Sequence, residues 1–290
     1  MQEIEKQTAT EVKYIQEFAL QKLLLYLKNN SAFYKELFQK NNIELSEIKH
    51  LEDLVKIPIT TKDDLQGRNW DFLCVPKNEI SEYCTTSGTT GYPITIPLTE
   101  KDLERLAYNE YLSFTCADGS PHDSYQIILT LDRQFMAGIA YYLGLRKLGA
   151  TIIRVGPGNV NMQVDTIQRL NPTILIAVPS FILGIIAYAK EKEIDLNSTS
   201  VRKIICIGEN IRNENLSLNT LGERILKEWN VTLYNTYASK ETQPAFTECK
   251  YGQGGHHHAD LIIFEILDEN NNQLPPSVVI VISPYSPGGN

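Results

Sequence analysis

Between residues 126 and 234, short apolar runs alternate with longer amphipathic stretches, and this alternation restricts the possible folds more than any other feature of the chain. The apolar runs are Gln126–Leu129, Thr151–Val155, Ile174–Ala177, Lys203–Ile207 and Val231–Tyr234. Each is short enough for a strand and too short for a helix that could stand alone. The stretches between them, Phe135–Leu148, Val160–Leu170, Ser180–Lys190 and Glu214–Trp229, carry helical spacing. Gly149 and Asn171-Pro172 stop two of these helices, and Ser180 stands where a third needs a cap. A strand that is apolar throughout is buried on both faces, and a helix between successive strands makes them run parallel. The expected class is therefore α/β, with parallel sheets flanked by helices. A helical region occupies residues 1–75, the α/β core 76–258, and a β-rich end 259–290. Strands are expected there at Leu261–Ile266 and Val278–Ile282, around a turn at Asp268–Asn272.

In the helical region, Val12, Ile15, Phe18, Ala19, Leu23, Tyr26 and Leu27 recur at helical spacing. Ser31 reads as the cap of a second helix carrying Phe33, Leu37 and Phe38. Leu51–Pro58 reads as a short helix stopped by its proline, and Thr61 with Asp64 forms a capping pair. Composition excludes several classes of partner. A net charge of −8 argues against nucleic acid, whose phosphates select basic surfaces. No apolar run approaches the roughly 20 residues that a membrane helix needs. The opening Met1–Lys6 is polar and mixed in charge, unlike a signal peptide. Five scattered cysteines without C-x-x-C spacing fit reduced thiols, hence a cytoplasmic setting.

Three stretches can carry chemistry. The first is Tyr83-Cys84-Thr85-Thr86-Ser87-Gly88-Thr89-Thr90-Gly91-Tyr92-Pro93, between a strand ending near Thr85 and another at Ile94–Leu98. Hydroxyls donate and accept hydrogen bonds. Glycines allow a tight turn, and successive backbone N–H groups can make a concave anion site. A phosphate chain is the guest that such a loop suits, although no Gly-Lys-Ser/Thr of the Walker type follows. A plain Ser/Thr-rich hairpin is the alternative. The second lies beyond two strand ends, where open α/β sheets bind ligands. Gly208-Glu209-Asn210 follows one strand and reads equally as a turn into a helix. Tyr237-Ala238-Ser239-Lys240-Glu241 follows the next. There an aromatic face can stack on a base and a carboxylate can hold magnesium, or the loop can simply be solvated. The third is Glu248–Asp260, with His256-His257-His258. In an extended segment His256 and His258 share a side, and the Gly252–Gly255 turn can return Cys249 to them as zinc ligands, with Asp260 or another cysteine as the fourth. A polar loop with exposed histidines is the alternative. There is no Gly-x-Ser-x-Gly elbow and no His-Glu-x-x-His.

The order Thr-Ser-Gly-Thr-Thr-Gly-x-Pro resembles the phosphate-binding signature of the adenylate-forming enzymes, most closely the phenylacetate–CoA ligase branch. Ser31-Ala32-Phe33-Tyr34 and the segment from Glu52 to Leu65 are similar to elements that precede the loop in that branch. The resemblance implies that Thr86, Ser87, Gly88, Thr89, Thr90 and Gly91 hold the phosphates of ATP. It places Gly208, Glu209 and Asn210 beside the adenine and implies that Tyr237 flanks it. Glu241 would help to hold Mg2+. Ala238 stands where the family has glycine, and Lys240 where it has a hydroxyl; an ammonium there could neutralise the α-phosphate. Thr89, Lys240 and Glu241 are then the expected catalytic set. Phe135–Gly138 and the turn at Gly208 are expected to form the acid pocket. The branch also carries a Glu-Cys and a Gly-x-His near the third stretch, which supports a shared local structure there.

The reaction implied is activation of a carboxylic acid, an aryl acid such as phenylacetate, to an acyl-adenylate and then a coenzyme A thioester. The implied partners are the acid, ATP and CoA, and a homodimer is compatible with the reading. An acyl-protein synthetase and a non-catalytic nucleotide-binding protein are the alternatives. Members of the family continue with a Gly-Asp motif and a small lid carrying a catalytic lysine. Neither stands in these 290 residues. The chain is therefore expected to be a fragment or a natural single-domain relative, binding nucleotide but adenylating poorly.

Overall fold

The computed structural model describes residues 4–86, 93–268 and 273–274. The chain divides into two compact units, one made of residues up to Glu100 together with the segment from His258, the other running from Lys101 to His257.

The first unit opens with α1 (Ala9–Asn30), capped by Thr8 in a reciprocal pair with Glu11. Its buried side chains are Gln16, Leu20 and Leu24, while Phe18 and Leu23 are about half exposed. The helix lies where its spacing places it, but the covered stripe is one position away from the more apolar one. Gln16 is accommodated there because its amide donates to the Ala259 carbonyl at 3.0 Å. Ser31 caps α2 (Ala32–Lys40), whose Phe38 packs with Leu20, Leu24 and Ile48. Thr61 and Asp64 cap α3 (Lys62–Gly67) reciprocally, as the sequence predicts. Strands β1 (Glu82–Thr85) and β2 (Thr95–Leu98) then form an antiparallel hairpin closed by the Thr85–Thr95 pair. Among the described residues Leu261–Ile266 pairs in no ladder, and an antiparallel bridge joins Leu267 to Gln273. The strand expected at Leu261–Ile266 is thus not formed among them, and the one expected at Val278–Ile282 lies outside the described residues.

The second unit opens with α4 (Glu100–Cys116) and is built on a seven-stranded sheet. In chain order its elements are β3 (Ser124–Ile127), α5 (Met136–Leu148), β4 (Thr151–Arg154), α6 (Val160–Leu170), β5 (Ile174–Ala177), α7 (Pro179–Glu191), β6 (Lys203–Ile207), α8 (Thr220–Glu228), β7 (Thr232–Ala238), β8 (Ala245–Glu248) and β9 (Gly255–His256). The spatial order is β4-β3-β5-β6-β7-β8-β9. The first five strands run parallel and the last two antiparallel. Alternate side chains of the continuous apolar strands enter two different cores. Leu175, Ala177, Ile204 and Cys206 pack under α6, α7 and α8. Ile174, Ile176, Ile205 and Ile207 pack with Phe114 of α4 and with Tyr141 and Leu145 of α5. This is why those strands show no polar alternation: both faces are covered.

Two helix starts differ from expectation. α8 begins at Thr220 rather than Glu214, because Asn219 caps it through the backbone N–H groups of Leu221 and Gly222. Residues before it turn, with Leu216 at φ +67°. α7 begins at Pro179, so Ser180 lies inside the first turn rather than capping it. Among the described residues no helix is long and apolar enough to cross a membrane.

Candidate functional site

At the carboxyl ends of β6 and β7 the second unit carries a pocket, walled by α4, the first turns of α5 and the two strand-end loops. Such a position follows from the topology, since loops leaving the carboxyl ends of parallel strands gather on one edge of the sheet.

The β6 loop turns at Gly208, whose φ of +79° is open to glycine and strained for other residues. Glu209 follows and contributes to the pocket wall, but its carboxylate serves α7. One oxygen accepts from the Ser180 N–H and the other from the Ser180 hydroxyl, each at 2.8 Å. Val178 at the N-cap position has no side chain able to cap, so the cap comes from the next strand's loop. Asn210 holds the loop shut. Its Oδ1 accepts from the Arg212 N–H at 3.0 Å and from Asn235 Nδ2 at 3.1 Å. Behind it, Arg212 meets the buried Glu248 carboxylate side-on, Nε to Oε1 at 3.0 Å and Nη2 to Oε2 at 2.9 Å. The Asn235 N–H donates to the same carboxylate at 3.1 Å, tying β7, β8 and the loop together.

From β7, Tyr237, Ala238, Ser239 and Lys240 line the pocket. Tyr237 is half-buried beside Phe246 on β8, their rings 6.1 Å apart. Burial, and then the charge of Glu241, push its hydroxyl above the ordinary tyrosine value. Lys240 lays its ammonium over the Phe135 ring at 5.0 Å. Ser239 donates to Glu241 at 2.7 Å, and Glu241 itself stands exposed.

α5 supplies Phe135, Met136, Ala137, Ala140 and Tyr141. It can start so close to the loop after β3 because Gly138 has no side chain; a Cβ there would overlap the Thr130 carbonyl. α4 supplies Leu106 and Glu110. Glu110 is 3% exposed, and burial pushes its carboxyl up to about 8. It is the clearest feature that the sequence-level reading lacks. The signal was present, for Leu106, Glu110, Ser113 and Phe114 follow helical spacing on one face, so a carboxylate lies within an apolar stripe.

The predicted segments Gly208–Asn210 and Tyr237–Lys240 therefore meet in one pocket, together with Phe135–Ala137. Thr86 is buried at the base of the β1–β2 hairpin, its hydroxyl accepting from the Ile94 N–H at 3.0 Å. Ser87, Gly88, Thr89, Thr90 and Gly91 lie outside the described residues. Among the described residues no three His, Cys, Asp or Glu side chains gather where they could hold a metal ion. The glycine-rich turn does fold back, with Gly252 at φ +59° and Gly254 at +99°, but it serves to pair β9 with β8. His256 is left exposed on that edge strand while His258 is buried.

Residues 5–279 match the family described as AMP-binding enzyme. Phenylacetate-coenzyme A ligase of Aromatoleum evansii is 28% identical over 204 residues, which is 70% of this chain and 46% of the relative. The protein of the same name from Escherichia coli (strain K12) is 29% identical over 184 residues, 63% of this chain and 42% of the relative. The chain thus spans less than half the length of these two curated relatives. Among solved structures, 2-hydroxyisobutyryl-CoA ligase in complex with 2-HIB-AMP and CoA aligns with a TM-score of 0.82 at 22% identity, a likeness of fold. It covers 92% of this chain and 58% of that one.

Proposed function

Because the chain belongs to the AMP-binding enzyme family, we propose that it takes part in ATP-dependent activation of a carboxylic acid to an acyl-adenylate and onward to a CoA thioester. The observation that carries this reading is the meeting of Gly208–Asn210 with Tyr237–Lys240 around one pocket. A flat base fits against the Tyr237 ring, and the Gly208 turn presents backbone rather than side chain to it. The relatives named phenylacetate-coenzyme A ligase support an aryl acid as substrate, and Phe135, Met136 and Ala140 offer apolar wall for its ring.

In the first step the acid's carboxylate attacks the α-phosphorus of ATP and pyrophosphate leaves. In the second a thiol attacks the acyl carbonyl and AMP leaves. What the protein must supply is orientation and stabilisation of charge developing on the phosphates. We assign phosphate binding to Ser87–Gly91 with Thr89 and Thr90 as hydroxyl donors. Lys240 is assigned to the α-phosphate, with its ammonium held over Phe135. Glu241 fits magnesium: it is an exposed carboxylate steadied by one hydroxyl, and Mg2+ takes one or two carboxylates together with substrate phosphates. Bound there, the ion would neutralise phosphate charge during transfer.

The test is calorimetric titration of Mg·ATP into the protein and into a variant carrying Thr89→Val and Thr90→Val. The variant should bind ATP about tenfold more weakly or worse, two charge-assisted hydrogen bonds being lost, while its circular dichroism is unchanged. Equal affinity would remove the loop from the site.

A further inference from the structure

Two polar groups of the pocket lie where nothing in the proposed adenylation uses them. Glu110 of α4 and Tyr141 of α5 both line it, at 3% and 1% exposure. Glu110 Oε1 accepts one hydrogen bond, from Asn109 Nδ2 at 3.2 Å. Glu110 Oε2 and the Tyr141 hydroxyl are buried with no hydrogen-bond partner among the described residues. The other polar walls are already engaged, Asn235 with Asn210 and Thr236 with Thr247. The helices that carry the two groups are in contact. A Cβ on Gly144, three residues after Tyr141, would run into the Glu110 side chain, so α5 packs directly on Glu110. Burial, and then the Glu110 charge, push the Tyr141 hydroxyl above the ordinary tyrosine value. A buried polar atom without a partner costs the fold stability, and such atoms in a cleft mark sites where a ligand completes the bonding.

We infer that the acid taken up by this pocket carries a hydroxyl group on its acyl portion, received between the Glu110 carboxyl and the Tyr141 hydroxyl. This inference rests on the acid-activating reading above and narrows its substrate class. A carboxyl that keeps its proton at neutral pH offers one donor and one acceptor, and a phenol does the same. A hydroxyl both donates and accepts, so it can satisfy both. An ammonium only donates and would require Glu110 to ionise, placing two charges in an apolar enclosure at a desolvation cost. An unsubstituted ring would leave both groups unsatisfied. Sites built to hydrogen-bond a substrate hydroxyl discriminate strongly against the analogue lacking it, because their own buried groups are then unpaired.

The test is calorimetric binding of phenylacetate and of ortho-, meta- and para-hydroxyphenylacetate to the whole chain, with Mg·ATP binding measured on the same preparation. At least one hydroxylated isomer should bind about tenfold or more tightly than phenylacetate. Glu110→Leu and Tyr141→Phe should each lower that preference severalfold, judged as the ratio of the two affinities within each variant. Glu110→Gln, which keeps a donor and an acceptor, should retain most of it and carries the test with Tyr141→Phe if the leucine variant fails to fold. Phenylacetate binding with no preference for any hydroxylated isomer would overturn the inference and leave the acid-activating reading intact. So would a preference that survives both Glu110→Leu and Tyr141→Phe. If ATP binds and none of the acids does, the inference falls together with the assignment of this pocket to the acid.

Discussion

Glu110 shows how one side chain can set the character of a pocket. Its carboxyl holds a proton up to a pH of about 8 when folded, against 4.5 for an ordinary glutamate. Between those values the folded chain binds a proton that the unfolded chain has released. Stability contributed at this position is therefore fully present below about 4.5 and is lost as pH rises through about 8. Urea unfolding of the wild type and Glu110→Leu at several pH values should show this directly. The leucine variant should gain on the wild type as pH rises from 5 to 8, and by about 1–3 kcal/mol at neutral pH, the usual cost of an unsatisfied buried acceptor. A difference that stays constant with pH would mean that Glu110 is ionised in the fold. At this scale the sequence is legible where a residue's role is local. Ser31, Thr61 with Asp64, Asn171 and Gly149 cap or stop helices as their chemistry dictates. Glu110, Arg212 and Glu248 are less legible, because what makes them unusual is burial against elements distant in sequence.

Elements were legible in their type and less so in their ends. The five parallel strands fall where the apolar runs lie, since a strand buried on both faces announces itself in composition. Ends depended on partners from elsewhere. Ser180 reads as a cap from its position ahead of an apolar helix, yet Pro179 fixes the first turn and Glu209 supplies the acceptor. Replacing Glu209 with alanine should cost roughly 1 kcal/mol of unfolding free energy, the usual value of a lost N-cap. Ser180→Ala added to it should cost little more, because both substitutions remove the same contact. Additive losses in that double-mutant cycle would show that the Glu209 contact is not what holds the start of α7. The histidine segment shows a related dependence. The glycine turn before His256 pairs β9 with β8 at the edge of the sheet. Ladder hydrogen bonds had no counterpart in a reading based on ligand types.

At the scale of the molecule, the sheet order places the ends of β6 and β7 side by side, and that adjacency brings Gly208–Asn210 and Tyr237–Lys240 to one pocket although they are far apart in sequence. The family match covers almost all of the chain, while the curated relatives extend well beyond the length it spans. The proposed function is chemical: ATP and an acid would react at this chain's own residues. Isotope exchange between pyrophosphate and ATP measures that step alone, without CoA. With Mg2+, ATP and a panel of aryl acids, the account predicts exchange that depends on the acid, is highest for a hydroxylated one and falls at least tenfold in Glu241→Gln. ATP bound tightly while no acid raises exchange above the acid-free rate would contradict it.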